Sequence, residues 1–92
     1  MGYTWLPGRL AILADVEPSE VMQVLDGTGR RLPRRVTAPN GLPLLGILGR
    51  TATGRGLVVY LRHEGGLDWT IVGVRPMTHG EAVEYEKWEA EQ

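Results

Sequence analysis

The chain has 92 residues, no cysteine, two histidines and a formal net charge of −1, with 42% hydrophobic and 23% charged residues. These values describe one small globular domain, and they exclude a disulfide framework, a thiolate metal site and a globally disordered chain. A chain this short hides only about 60–65% of the surface its unfolded form exposes, so its core must be tightly packed.

Tyr3, Thr4, Trp5 and Leu6 read as a short strand or extended lead-in. Pro7 suits the first turn of a helix over residues 7–14. A better-marked helix is predicted over residues 18–26. Pro18 takes its first position and Glu20 its third, and Val16 and Val21 have the spacing of a hydrophobic staple around Glu17. Val21, Val24 and Leu25 make its apolar stripe, and Gly27 ends it.

After a loop over residues 28–33 the pattern changes to strands, predicted over residues 34–38, 44–50, 57–62 and 69–75. Pro39-Asn40-Gly41, Thr53-Gly54 and Glu64-Gly65-Gly66-Leu67 supply the turns. Links this short require antiparallel neighbours. Thr78 and Glu81 then form a capping box that opens a last helix. Ala82, Tyr85 and Trp88 recur at helical spacing and are expected to face the sheet. Glu81, Glu84, Glu86, Glu89 and Glu91 are expected largely on the solvent side, with Glu84 placed to pair with Lys87. The expected fold is α+β: an antiparallel meander sheet of about four strands, with two short N-terminal helices and one C-terminal helix packed on it, in a single domain over residues 1–92.

Charge is unevenly distributed. Residues 30–75 carry eight arginines against Glu64 and Asp68, whereas residues 76–92 carry five glutamates against Lys87. Arginine is the side chain suited to bidentate phosphate contact, although a solvated charged face has the same composition. With Thr53-Gly54 and Gly65-Gly66 as hairpin centres, Arg50 lies opposite Leu57 and Arg75 opposite Gly56. Arg50, Arg55 and Arg75 then gather at one sheet end beside His79 and the last helix's N-terminus, an arrangement suited to an anion. The same register turns Arg50 and Arg75 to opposite faces. His63, next to Arg62 at the other end of the third strand, is a further candidate acid or base, although a lone turn histidine is more often simply solvated.

No nucleotide-binding glycine motif, nucleophile elbow or zinc-protease motif is present. Ser19, the sole serine, sits at a helix start. Two histidines would need carboxylates to complete a zinc site, so neither metal nor cofactor is expected. No apolar run approaches the ~18–20 residues that span a bilayer, and the N-terminal residues lack a basic patch followed by a long apolar stretch. A cytoplasmic protein without membrane contact is the expectation.

The run Leu48-Gly49-Arg50-Thr51-Ala52-Thr53-Gly54-Arg55-Gly56-Leu57-Val58-Val59, followed by Ile71-Val72-Gly73-Val74-Arg75-Pro76-Met77-Thr78 and by Glu81 and Tyr85, resembles the BrnT family. That family comprises toxins of type II toxin–antitoxin systems with a RelE/ParE-like fold. Trp5 and the stretch from Val16 to Val21 extend the likeness. The resemblance implies a metal-independent ribonuclease that blocks translation and is masked by a cognate DNA-binding antitoxin. In such chemistry the RNA 2′-hydroxyl attacks the adjacent phosphate while cationic side chains stabilise the growing negative charge.

By position Arg50 and Arg75 match arginines of the family pattern, and His79 or Tyr60 would move protons. Arg34, Arg35, Arg50, Arg55, Arg62 and Arg75 would bind RNA. Where the family often has Lys-His-Gly-Val before its second helix, this chain has Leu13-Ala14-Asp15-Val16. Binding without cleavage is therefore the alternative expectation, as a non-catalytic interaction module. An acidic last helix and an arginine-rich sheet also suit head-to-tail contact between copies, which makes a homodimer a candidate assembly.

Overall fold

The computed structural model describes residues 2–5, 16–26, 30–66 and 68–91. Five strands, β1 (Gly2–Trp5), β2 (Leu32–Thr37), β3 (Pro43–Arg50), β4 (Gly56–Gly65) and β5 (Asp68–Pro76), are accompanied by helices α1 (Pro18–Asp26) and α2 (His79–Ala90). They form one sheet in the order β1-β5-β4-β3-β2. The α+β class stands as expected. The four-stranded antiparallel meander does not: β1 is a fifth strand and runs parallel to β5, with Tyr3 opposite Trp69 and Trp5 opposite Ile71. Turn chemistry fixes only neighbours in sequence, and nothing local to residues 2–5 signals a partner more than sixty positions away. The helix expected over residues 7–14 lies outside the described residues, so two helices are described where three were expected.

The sheet carries one helix on each face. Odd-numbered Leu57, Val59 and Leu61 of β4 point to the same side as Ile47 and pack with Val16, Val21, Val24 and Leu25 from the α1 region. Tyr3, Trp5 and Trp69 extend this cluster toward the β1 edge. Gly49 sits beneath α1, where an added Cβ would lie 2.9 Å from Val24 Cγ1, so glycine sets how closely the helix approaches. Gln23 Oε1 accepts from the Ala52 N–H at 2.9 Å, which ties α1 to the β3–β4 turn. At the start of α1, the Glu17 N–H donates to Glu20 Oε1 at 3.0 Å, and Val16 and Val21 are both buried as a staple requires.

Leu48, Val58 and Tyr85 form a second, smaller cluster on the opposite face, edged by Leu32, Tyr60, Met77 and Trp88. Tyr85 is the one side chain of α2 that is fully buried, 1% exposed. The capping box is complete: Thr78 Oγ1 accepts from the Glu81 N–H at 3.2 Å and Glu81 Oε1 accepts from the Thr78 N–H at 2.9 Å.

The register differs from the sequence reading by one residue at β3–β4, where Arg50 pairs with Gly56 rather than Leu57. Gly41 (φ 88°) and Gly54 (φ 89°) take the left-handed conformation in the turns flanking β3. Between β4 and β5 an irregularity falls after Tyr60: Tyr60 opposes Gly73 and Leu61 opposes Ile71, so Val72 is an extra residue. The bulge sets Arg75 opposite Val58. Arg50 and Arg75 therefore share the α2 face, against the expectation of opposite faces.

Candidate functional site

The even-numbered positions of β3 and β4 build the α2 face, and cross-strand pairing arranges them in rows. One row reads Arg34, Gly46, Tyr60, Gly73; its neighbour reads Leu32, Leu48, Val58, Arg75. Arg34, Arg50, Arg62 and Arg75 all belong to this face. Arg35 pairs with Leu45 and belongs to the α1 face. Arg55 also turns to α1, with Nη1 3.3 Å from Glu20 Oε1. The expected gathering of Arg50, Arg55 and Arg75 around one anion-sized space therefore does not occur.

Instead α2 lies between two flanks of arginine. Arg75 meets Glu81 through both guanidinium ends, Nη1 to Oε1 at 2.6 Å and Nη2 to Oε2 at 2.8 Å. Arg34 Nη1 is 2.8 Å from Glu84 Oε2. On the other flank Arg50 Nη2 is 3.4 Å from Glu89 Oε1 and 3.8 Å from Glu86 Oε1, with its guanidinium carbon 5.2 Å from the Tyr85 ring centre. Arg30 Nη1 donates to the Glu89 carbonyl at 2.8 Å, and Tyr85 Oη donates to the Arg30 carbonyl at 2.5 Å.

Glu84, Glu86 and Glu91 are exposed, in keeping with a largely solvent-facing set, whereas Glu81 and Glu89 are partly buried; Glu81, Glu84, Glu86 and Glu89 nonetheless reach the sheet arginines. Glu84 meets Arg34 in place of the expected Lys87. The intermolecular charge contact expected between copies is present within one copy.

The bidentate contact sets the electrostatics at this end of the helix. Hydrogen bonds from Arg75 hold the Glu81 carboxyl down to about 2, against the opposing effect of burial. The same carboxylate pushes the Arg75 guanidinium further up. Burial, with the nearby Glu89 charge, raises the Tyr85 hydroxyl. Tyr60 joins this group: Arg75 Nη2 donates to Tyr60 Oη at 2.9 Å, and the guanidinium carbon lies 5.7 Å from the ring centre.

Of the four residues expected to act on RNA, Tyr60 and Arg75 are therefore in contact, Arg50 lies toward the far end of α2, and His79 is an exposed first residue of that helix. His63 is engaged with Trp69, ring centres 4.6 Å apart, and its Nε2 donates to the Gly66 carbonyl at 2.9 Å.

Beyond Tyr60 the α2 face is open. A groove of about 440 Å³ is lined by Leu42, Leu44, Tyr60, Arg62, Val72 and Gly73, closed at one end by the turn around Asn40. Leu42 is 48% exposed on its rim. Among the described residues Arg62 engages one neighbour, through Nε to Glu64 Oε1 at 2.6 Å, and that bond lowers the Glu64 carboxyl. The sequence reading missed Leu42, Leu44, Val72 and the two glycines. The usable signal was a tyrosine strand between two strands that each carry a central glycine, but only the true register brings Gly46 and Gly73 beside Tyr60.

Among the described residues no three His, Cys, Asp or Glu side chains gather as metal ligands would. Nor does any helix there have the length and apolarity to cross a membrane. The fold and this face define a small α+β domain with an arginine-lined sheet surface partly covered by its own acidic helix. Comparison with protein families, curated proteins and solved structures finds no match.

Proposed function

We propose that this chain is a toxin-like, RNA-directed domain that binds single-stranded RNA on the α2 face of its sheet. The observation that carries this reading is the placement of Tyr60 between Arg75, which it contacts, and the open groove that it lines with Arg62, on the same face as Arg34 and Arg50. A partly buried aromatic ring that lines a groove among guanidinium groups can hold single strands with little sequence preference: bases stack and phosphates pair with the cations. Binding without cleavage is the form that the geometry supports. Arg75 and Arg50 are neutralised by Glu81, Glu86 and Glu89, so stabilising a phosphorane-like charge would first require those carboxylates to withdraw.

Fluorescence anisotropy with a labelled single-stranded RNA, a matching duplex and a gel of the recovered strand tests this reading. The single strand should bind more tightly than the duplex and remain intact. With Arg62 the arginine of this face that α2 leaves uncovered, about one phosphate contact would give a log–log salt slope near −0.7. No single-strand binding at low salt sinks the reading, and site-dependent cutting of the strand would replace binding with ribonuclease activity. A protein that arrests growth when expressed, with rescue by a small neighbouring reading frame, would place it in a toxin–antitoxin pair.

A second reading, a protein-interaction or self-associating module, is favoured by one observation: the arginine face already accepts an acidic helix, its own α2. Exchange of α2 between copies would satisfy the same pairs. Light scattering across a salt series separates the readings, because a monomer at every salt concentration argues against self-association.

A further inference from the structure

We propose that the groove beside Tyr60 is a pocket for a single unpaired nucleobase, with Arg62 taking the attached phosphate. The inference rests on the RNA-binding reading and narrows it to one site and one chemical group.

Two features prepare the ring. Both of its cross-strand neighbours are glycine, Gly46 on β3 and Gly73 on β5. A Cβ at Gly46 would sit 3.5 Å from Tyr60 Cε1 and one at Gly73 3.9 Å from Cδ2, in ordinary contact. Larger side chains at either position would crowd the ring, whereas glycine leaves its flanks bare. Arg75, which pairs with Val58 two residues earlier on β4, lies to one side of the ring at 5.7 Å from its centre. The groove opens on the other side, toward Arg62 two residues later.

The remaining walls suit a flat, mostly apolar group with a polar edge and a negative tail. Leu42, Leu44 and Val72 give the apolar sides. The volume of about 440 Å³ falls in the range of small-ligand sites and accommodates one base with its sugar, not a stacked run of bases. Asn40 uses its side-chain oxygen on the Leu42 N–H at 3.2 Å, which leaves its amide group to donate to a base edge. Among the described residues the two terminal nitrogens of Arg62 have no partner, so they can take a phosphate in the fork geometry of guanidinium. None of this requires α2 to move, because its glutamates occupy Arg34, Arg50 and Arg75 and leave this half of the face uncovered.

The base of an RNA strand and a free nucleotide share this chemistry, and the test separates them. The full chain is titrated with adenosine 5′-monophosphate, ribose 5-phosphate and a single-stranded RNA while amide and Tyr60 ring resonances are followed. The nucleotide should shift Leu44, Arg62 and Gly73, and ribose 5-phosphate should leave them in place. Tyr60→Leu should weaken nucleotide binding about tenfold or more, whereas Tyr60→Phe, which keeps the ring and loses the hydroxyl, should retain it. Circular dichroism of both variants checks that the fold persists.

Equal shifts from ribose 5-phosphate, shifts confined to α2, or undiminished binding by Tyr60→Leu would each overturn the pocket. RNA binding without nucleotide shifts in the groove overturns the pocket and leaves the RNA reading standing. Nucleotide binding without RNA binding does the reverse, leaving a free-nucleotide site.

Discussion

The two faces of one sheet are held by different physics. On the α1 side, Ile47, Leu57, Val59, Leu61 and Ile71 of the sheet are buried against a helix whose own stripe is fully apolar. On the α2 side, a helix with a single fully buried residue is fastened by guanidinium–carboxylate pairs along both flanks. Hydrophobic burial is not weakened by charge screening, whereas half-exposed ion pairs are each worth about 0–1 kcal/mol and weaken as salt rises. The comparison assigns stability to one face and an adjustable, charge-reading surface to the other.

Two truncations probe the division most strongly. Tyr85→Ala should cost about 3–5 kcal/mol of α2 docking, read as fast hydrogen exchange across α2 while α1 remains protected. Leu57→Ala, beneath α1, should cost about 2–5 kcal/mol and unfold the chain as a whole in a urea titration. Global loss in both variants would mean that the faces are one cooperative unit.

A smaller effect is expected from pH. The Glu81 carboxyl is lowered from 4.5 to about 2, so the unfolded chain takes up its proton first and stability falls as pH drops across that interval. Above about 4.5 the contribution is fully present. Thr78→Ala removes the other half of the capping box and should cost about 0.5–2 kcal/mol at neutral pH. The smallest change belongs to Arg34→Gln, because the Arg34 and Glu84 side chains are 43% and 55% exposed. It should shift stability by less than about 1 kcal/mol, and by nothing measurable at high salt.

Much of the fold was legible where its determinants are local. Thr78 and Glu81 announce α2, Val16 and Val21 bracket the start of α1, and Asn40-Gly41 and Thr53-Gly54 place the turns. What sequence withheld is set by strand pairing: the distant, parallel seating of β1 on β5, and, within the hairpins, the extra Val72 and the one-residue register difference at Arg50. Because side chains alternate across a sheet, the shifted registers decided which arginines share a face. The partners of the α2 glutamates were hidden for a related reason. A helical pattern separates apolar from polar positions, but it does not reveal which strand arginines wait on either flank, whether Arg75 just ahead of the helix or Arg34 and Arg50 from far upstream.

The most direct test compares arginines of the two faces. Arg35 and Arg62 lie on opposite faces and are replaced singly by alanine, and binding of a labelled single-stranded RNA is measured across a salt series. Arg62→Ala should weaken binding and flatten the log–log salt slope by about 0.7, the share of one phosphate, while Arg35→Ala leaves both unchanged. Equal losses from the two variants, or a loss with Arg35→Ala alone, would contradict an RNA surface on the α2 face.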